Sequence, residues 1–155
     1  MEINGIETAA KELIEFWKLQ KIVSSGNAID DILHFESSKG LKLPDDFRRF
    51  FLLTNGMADL FPNYFDDKCF LFYPLQALSI LDDEQLGISR ISSSENYLIF
   101  ADYMNRSWWY GVKFSKFGED YQIVIISSSV KVITQSLAEF IRLYIVDAPV
   151  LYDYE

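Results

Sequence analysis

With 155 residues, 50% of them apolar and 24% charged, the chain is long enough to bury one substantial hydrophobic core, and its composition excludes the disordered and collagen-like classes. Its 23 acidic and 14 basic side chains leave a formal net charge of −9, which excludes a surface built to hold phosphates; the densest basic spots, Arg48-Arg49 and Lys18 with Lys21, are short. The single cysteine, Cys69, excludes an intramolecular disulfide and a cysteine-based zinc centre and points to a reducing compartment.

Read in chain order, the first half is helical. Ala10, Leu13, Ile14 and Trp17 recur at spacings of three and four and make one apolar stripe. After Ser24-Ser25-Gly26, Asn27 is the expected cap of a second helix that carries Ala28, Ile32 and Phe35 on one face and stops at Lys39-Gly40. Leu43-Pro44-Asp45-Asp46-Phe47 opens a third helix, with proline where no amide donor is needed and two carboxylates at the positive helix end. Phe47, Phe50 and Phe51 form its buried stripe, and Asn55-Gly56 is the expected left-handed stop.

From Lys68 the pattern changes to strands. Cys69 to Tyr73 is the first, stopped by Pro74, and Leu75 to Leu86 is expected to hold a short helix ending in the acidic run Asp82-Asp83-Glu84. Tyr97 to Tyr103, Ser107 to Phe114 and Tyr121 to Ile126 are rich in aromatic and β-branched residues, with turns at Asn105-Arg106 and Phe117-Gly118-Glu119-Asp120. Lys131-Val132-Ile133 adds a short strand before Ser136-Leu137-Ala138-Glu139, a capping box that starts a last helix bearing Phe140, Leu143 and Tyr144. The expectation is a single α+β domain over residues 1–155, with N-terminal helices, a mostly antiparallel β-meander and a C-terminal helix packed on it. The first residues lack a basic region followed by an apolar run, and no stretch approaches the roughly 20 apolar residues a bilayer core requires. A soluble cytoplasmic protein is expected.

The run from Leu41 to Phe51, closing with Asn55-Gly56, resembles the SUKH superfamily, which includes fungal regulators of cell-wall glucan synthesis. The residues carrying the likeness are Leu43, Pro44, Asp45, Phe47, Phe50, Phe51, Asn55 and Gly56, together with Leu98 to Asp102, Trp109 to Val112 and Ser136 to Ile141, so that it spans about Ile29 to Tyr144. The family often has glycines in the turn that Met104-Asn105-Arg106 fills here. The resemblance implies a non-enzymatic protein without a cofactor: many bacterial members are immunity proteins that bind and neutralise toxin domains, frequently nucleases. The charge agrees, because an acidic surface attracts the basic surface by which a nuclease holds phosphates. A regulator or scaffold of the fungal kind is the alternative within binding proteins.

Candidate contact residues combine aromatic and acidic side chains. They are Tyr64, Phe65, Asp66 and Asp67 in one loop; Asp82, Asp83 and Glu84; Asp102; Trp108 and Trp109; and Glu119 and Asp120. Strand alternation sends Trp108 and Tyr110 to one face and Trp109 to the other, so one tryptophan is core and the other open to contact. Signals for chemistry are weak by comparison. His34 is the lone histidine and has no Ser or Cys motif to pair with. The adjacent carboxylates Asp45-Asp46, Asp66-Asp67 and Asp82-Asp83 diverge on a helix or a strand and do not converge on a metal. A hydrolase would have to draw carboxylates from separate segments, such as Asp67, Asp102 and Glu119.

Overall fold

A computed structural model of the chain describes residues 5–82, 96–114 and 120–153. Helices α1 (Gly5–Lys18), α2 (Ile29–Lys39) and α3 (Asp45–Leu53) come first. Strands β1 (Phe70–Phe72) and β2 (Ser79–Asp82) follow, separated by a 3-10 turn at Leu75–Ala77. Then come β3 (Asn96–Tyr103), β4 (Trp108–Phe114), β5 (Tyr121–Ile126), β6 (Val130–Thr134), helix α4 (Leu137–Ile145) and a second 3-10 turn at Pro149–Tyr152. The architecture is α+β, as the order of helical and strand patterns predicts.

Among the described residues all strand pairs are antiparallel, in the order β1-β3-β4-β5-β6, and β2 pairs with the half of β3 that β1 leaves free. The meander expected from the turn signals runs from β3 to β6. One face of this sheet carries the helices. Trp17 of α1 meets Phe72 with ring centroids 5.3 Å apart, Phe47 of α3 meets Phe100 at 5.4 Å, and Phe140 of α4 meets Phe100 at 5.3 Å and Tyr110 at 5.4 Å. Such edge contacts add about 0.5–1.5 kcal/mol per pair to the burial itself. The stripes that fix the helices are the expected ones: Ala10, Leu13 and Trp17 in α1, and Phe47, Phe50 and Phe51 in α3, are all buried. Pro44 caps α3, and Asp45 and Asp46 occupy its first turn, near the positive end of the helix dipole.

Several local expectations are overturned. The residue that caps α2 is Ala28, whose N–H donates to the Asp31 carboxylate at 3.0 Å. Asn27 instead donates from its side chain to the Phe51 carbonyl at 2.9 Å and to Asn55 Oδ1 at 3.0 Å. Helix α3 is closed by Thr54 in an extended conformation, and of the Asn-Gly pair only Gly56 is left-handed, at φ 64°. A Cβ on Gly56 would lie 2.6 Å from the Tyr73 carbonyl oxygen, so the glycine permits the approach of β1. Asn55 works through its side chain: Oδ1 also accepts from Leu75 N–H at 2.8 Å, and Nδ2 donates to Gln76, which donates back to Asn27. Of the Leu75–Leu86 segment expected to hold a short helix, the described residues, Leu75 to Asp82, form a 3-10 turn followed by strand β2, because pairing with β3 overrides an irregular apolar pattern; residues 83–86 lie outside the described residues. At α4, Ser136 Oγ accepts from Glu139 N–H at 3.2 Å, but Glu139 turns its carboxylate to the Thr134 hydroxyl, leaving half a capping box. The turn expected at Phe117–Asp120 lies, apart from Asp120, outside the described residues.

Candidate functional site

Two loops that sequence alone keeps apart meet at one end of the sheet. The first leads from α3 into β1. In it Asp66 is only 6% exposed, and its Oδ1 accepts from the N–H groups of Lys68 and Phe70, both at 2.8 Å. Those two amides flank Cys69, which is held left-handed at φ 73°. The other carboxylate oxygen accepts from the Tyr144 hydroxyl, and that hydroxyl itself accepts from Trp17 Nε1 at 3.0 Å. Burial raises the Asp66 carboxyl above its ordinary range, against the lowering exerted by Tyr144 and the two amides. One side chain thus ties this loop to α4 and, through Tyr144, to α1.

The second loop is the β3–β4 hairpin. Met104, Asn105 and Arg106 are consecutively left-handed, at φ 47°, 56° and 68°, without a glycine among them. Each such residue costs about 1 kcal/mol or more, asparagine least, so the turn must be held from outside. Asp102, 2% exposed, supplies one restraint: Oδ1 accepts from Arg106 N–H at 3.3 Å and Oδ2 from the Tyr73 hydroxyl at 2.6 Å. Burial raises this carboxyl also, while Tyr73 and Arg106 lower it. Ser107 supplies more, donating from its hydroxyl to the Met104 carbonyl at 2.8 Å and from its N–H to the Tyr103 carbonyl at 2.9 Å.

The loops join directly, because Met104 N–H donates to the Cys69 carbonyl at 2.7 Å and Phe70 pairs in register with Tyr103. From this clamped end Tyr64 (68% exposed), Phe65 (44%) and Met104 (49%) project into solvent beside exposed Asp67, whose N–H is held by Gln20 of the chain leaving α1 at 3.1 Å. The neighbouring Lys68 pairs with Asp147 just after α4 at 3.0 Å. Exposed aromatic and thioether side chains on a backbone fixed by buried bonds are the arrangement that binding hot spots require: apolar area on offer with little left to order.

The other expected contact residues fall elsewhere. Asp66 and Asp102 belong to the interior framework and are not available as they stand to touch a partner. Trp108 is also buried, stacked on Tyr103 at 4.6 Å and donating to the Tyr110 hydroxyl at 2.9 Å. Trp109 is half-buried on the opposite sheet face, in a cross-strand row with Leu71, Asp102 and Ile126. Asp120 is exposed at the start of β5, Asp82 ends β2, and Asp83, Glu84 and Glu119 lie outside the described residues. His34 and Asp45 are exposed. Among the described residues, no group of three His, Cys, Asp or Glu side chains is arranged to hold a metal ion. Of the carboxylates a hydrolase would need, Asp102 is already bonded to Tyr73, while Asp67 stands in solvent.

The sequence places Met104 in a turn, Tyr73 at a strand end and Tyr144 on the last helix, but gives none of them a part in the site. Tyr144 lies 78 positions from the carboxylate it serves, which no local pattern reveals, and Met104 occupies a turn where glycine is the ordinary signal. No helix among the described residues is long and apolar enough to cross a membrane. No curated protein matches the chain. A family match does exist, covering residues 26–143 and therefore α2, α3, the six described strands and most of α4. By that match the chain belongs to the SMI1 / KNR4 family (SUKH-1).

Proposed function

We propose that this chain is an immunity-type protein, a single cytoplasmic domain that neutralises a cognate toxin by binding and covering it, and that the loop-and-hairpin end carrying Tyr64, Phe65, Asp67 and Met104 is the surface that binds. Family membership supports an immunity-type or regulator-like domain that works by protein–protein interaction and not by catalysis. The observation that carries the placement is the pairing of exposure with restraint: exposed Met104 stands in a left-handed turn restrained by buried Asp102, and exposed Tyr64 and Phe65 immediately precede buried Asp66, which holds the left-handed turn at Cys69. A surface already ordered loses little entropy on binding. The net charge of −9 supports a basic partner, such as a nuclease domain, drawn in by long-range attraction before the apolar contacts form.

The test is a pull-down with the tagged chain at low and high salt, repeated with the Tyr64→Ala/Phe65→Ala double variant. Recovery of a basic toxin domain that is inhibited by stoichiometric addition of this protein, and loss of at least about tenfold in affinity in the double variant, is the expected result. Recovery undiminished by the double variant would reject this surface. Capture of several unrelated signalling or cell-wall proteins, with no toxin inhibited, would favour a regulator instead. Asp67→Lys is expected to slow association and flatten its salt dependence.

A further inference from the structure

The two edges of the sheet are built differently. The edge made by β1 and β2 is interrupted by Pro74 and the 3-10 turn at Leu75–Ala77, and each piece is short, which are the usual devices against strand addition. The edge made by β6 is an unbroken run, Val130–Thr134, without proline, and no described strand pairs with its outer side. Its one irregularity lies on the inner side, where the register with β5 shifts between Ile123 and Val124. Val132, at the centre, is 51% exposed. Its only charged residue, Lys131, is the kind of side chain that guards an edge, but it is paired to Asp153 at 3.0 Å.

Charge selects the occupant. Two chains of net −9 repel unless they meet where acids are missing, and residues 127–136 contain none. The strand itself offers a basic partner no acid, and the nearest ones, Asp153 and Glu139, are already bonded to Lys131 and Thr134. From this the geometry points to a second copy of the chain, joined by antiparallel pairing of β6 with β6 about a two-fold axis at Val132. In that register Val132 faces its symmetry mate, Lys131 stands opposite Ile133, and Val130 opposite Thr134, so no like charges oppose each other. The flank of α4 adjoins this edge through the hydrogen bond between Thr134 and Glu139, and there Leu143 and Val146 line a shallow apolar concavity closed by Glu139 and Arg142. An isologous pairing brings two such flanks together, matching Arg142 of one copy with Glu139 of the other and adding the apolar area that one strand pair lacks. This inference is independent of the immunity reading, since it uses a different surface.

Sedimentation equilibrium of the full chain over low to high micromolar concentration tests it. The expected result is a reversible dimer whose dissociation constant rises about tenfold or more in Val132→Glu, because a buried valine is lost on each side and two like charges are brought together, with the circular dichroism unchanged. In a Cys69→Ser background, Val132→Cys treated with copper–phenanthroline is expected to form a covalent dimer, since directly opposed antiparallel positions lie about 4.5–5.5 Å apart, within disulfide reach. A chain that stays monomeric throughout, or a dimer that is indifferent to Val132→Glu and does not cross-link through position 132, would overturn the inference.

Discussion

Asp66 gives one carboxylate oxygen to two short backbone bonds and the other to Tyr144, whereas Asp102 gives one to a single longer amide bond and the other to Tyr73. Both hold a left-handed turn next to an exposed apolar side chain, and both are ringed by donors in a buried setting. They differ in reach. Tyr144 and Trp17 carry the Asp66 bonds into two helices, while the Asp102 bonds stay between the hairpin and the residue that follows β1. A buried carboxylate with several distant partners organises the fold, and one with near partners shapes a loop.

The largest effect that would test this difference is Asp66→Ala. It leaves two amides and the Tyr144 hydroxyl unpaired in the interior and is expected to cost about 3–4 kcal/mol in urea unfolding. Affinity for the proposed partner should fall as well, although Asp66 is almost entirely buried. A cost below that of Asp102→Ala would reverse the ranking of the two clamps.

Asp102→Asn is expected to cost about 1–2 kcal/mol, because shape is kept and one charge-assisted bond from Tyr73 is weakened. Its pH dependence is more informative. Burial raises the Asp102 carboxyl above the ordinary value of 3.8, so the folded protein holds this proton more tightly than the unfolded chain does. The stability linked to that proton is complete below the unfolded value and is lost as pH rises through the folded one. The asparagine variant has no such slope, so the stability difference between wild type and variant should be greater near about pH 4 than near neutrality. A difference that grows toward neutrality would mean the bonds outweigh burial.

The smallest effect is Asn105→Gly. Relieving a left-handed residue is expected to stabilise the chain by about 0.5 kcal/mol or less, since asparagine already tolerates φ 56° and glycine adds freedom to the unfolded chain. A clear loss in thermal melts would assign the Asn105 side chain a bonding role within the turn.

Much of the fold was legible because it is written locally. The apolar spacing of α1, the Pro-Asp-Asp opening of α3 and the alternation of β3, β4 and β5 each reside within one segment, and the structure follows them to within a residue or two at most ends. Strand β2 was not legible, because four residues are too few to show a period and their conformation is set by β3. The site was legible by type more than by role. Tyr64, Phe65 and Asp67 stand exposed on the loop, but Asp66 beside them is buried, and only the position of Tyr144 explains the change of direction. Asn27 and Asn55 were read as helix punctuation; they are stitches between loops, and a side-chain amide in a turn gives no local sign of which of these it will be.

The Trp17–Tyr144–Asp66 relay also limits how this sequence can drift. Its members lie 127 and 78 positions apart, and Trp17 stands outside the stretch that matches the family. Replacing Tyr144 or Asp66 alone strands a polar group of another member in the interior, so neutral change at those two must pass through paired substitutions, whereas Tyr64, Phe65 and Met104 are exposed and take no part in the relay. The scaffold is therefore slow to change while the exposed side chains it presents are free to turn over, which is the pattern the proposed binding surface would need in order to follow a changing partner.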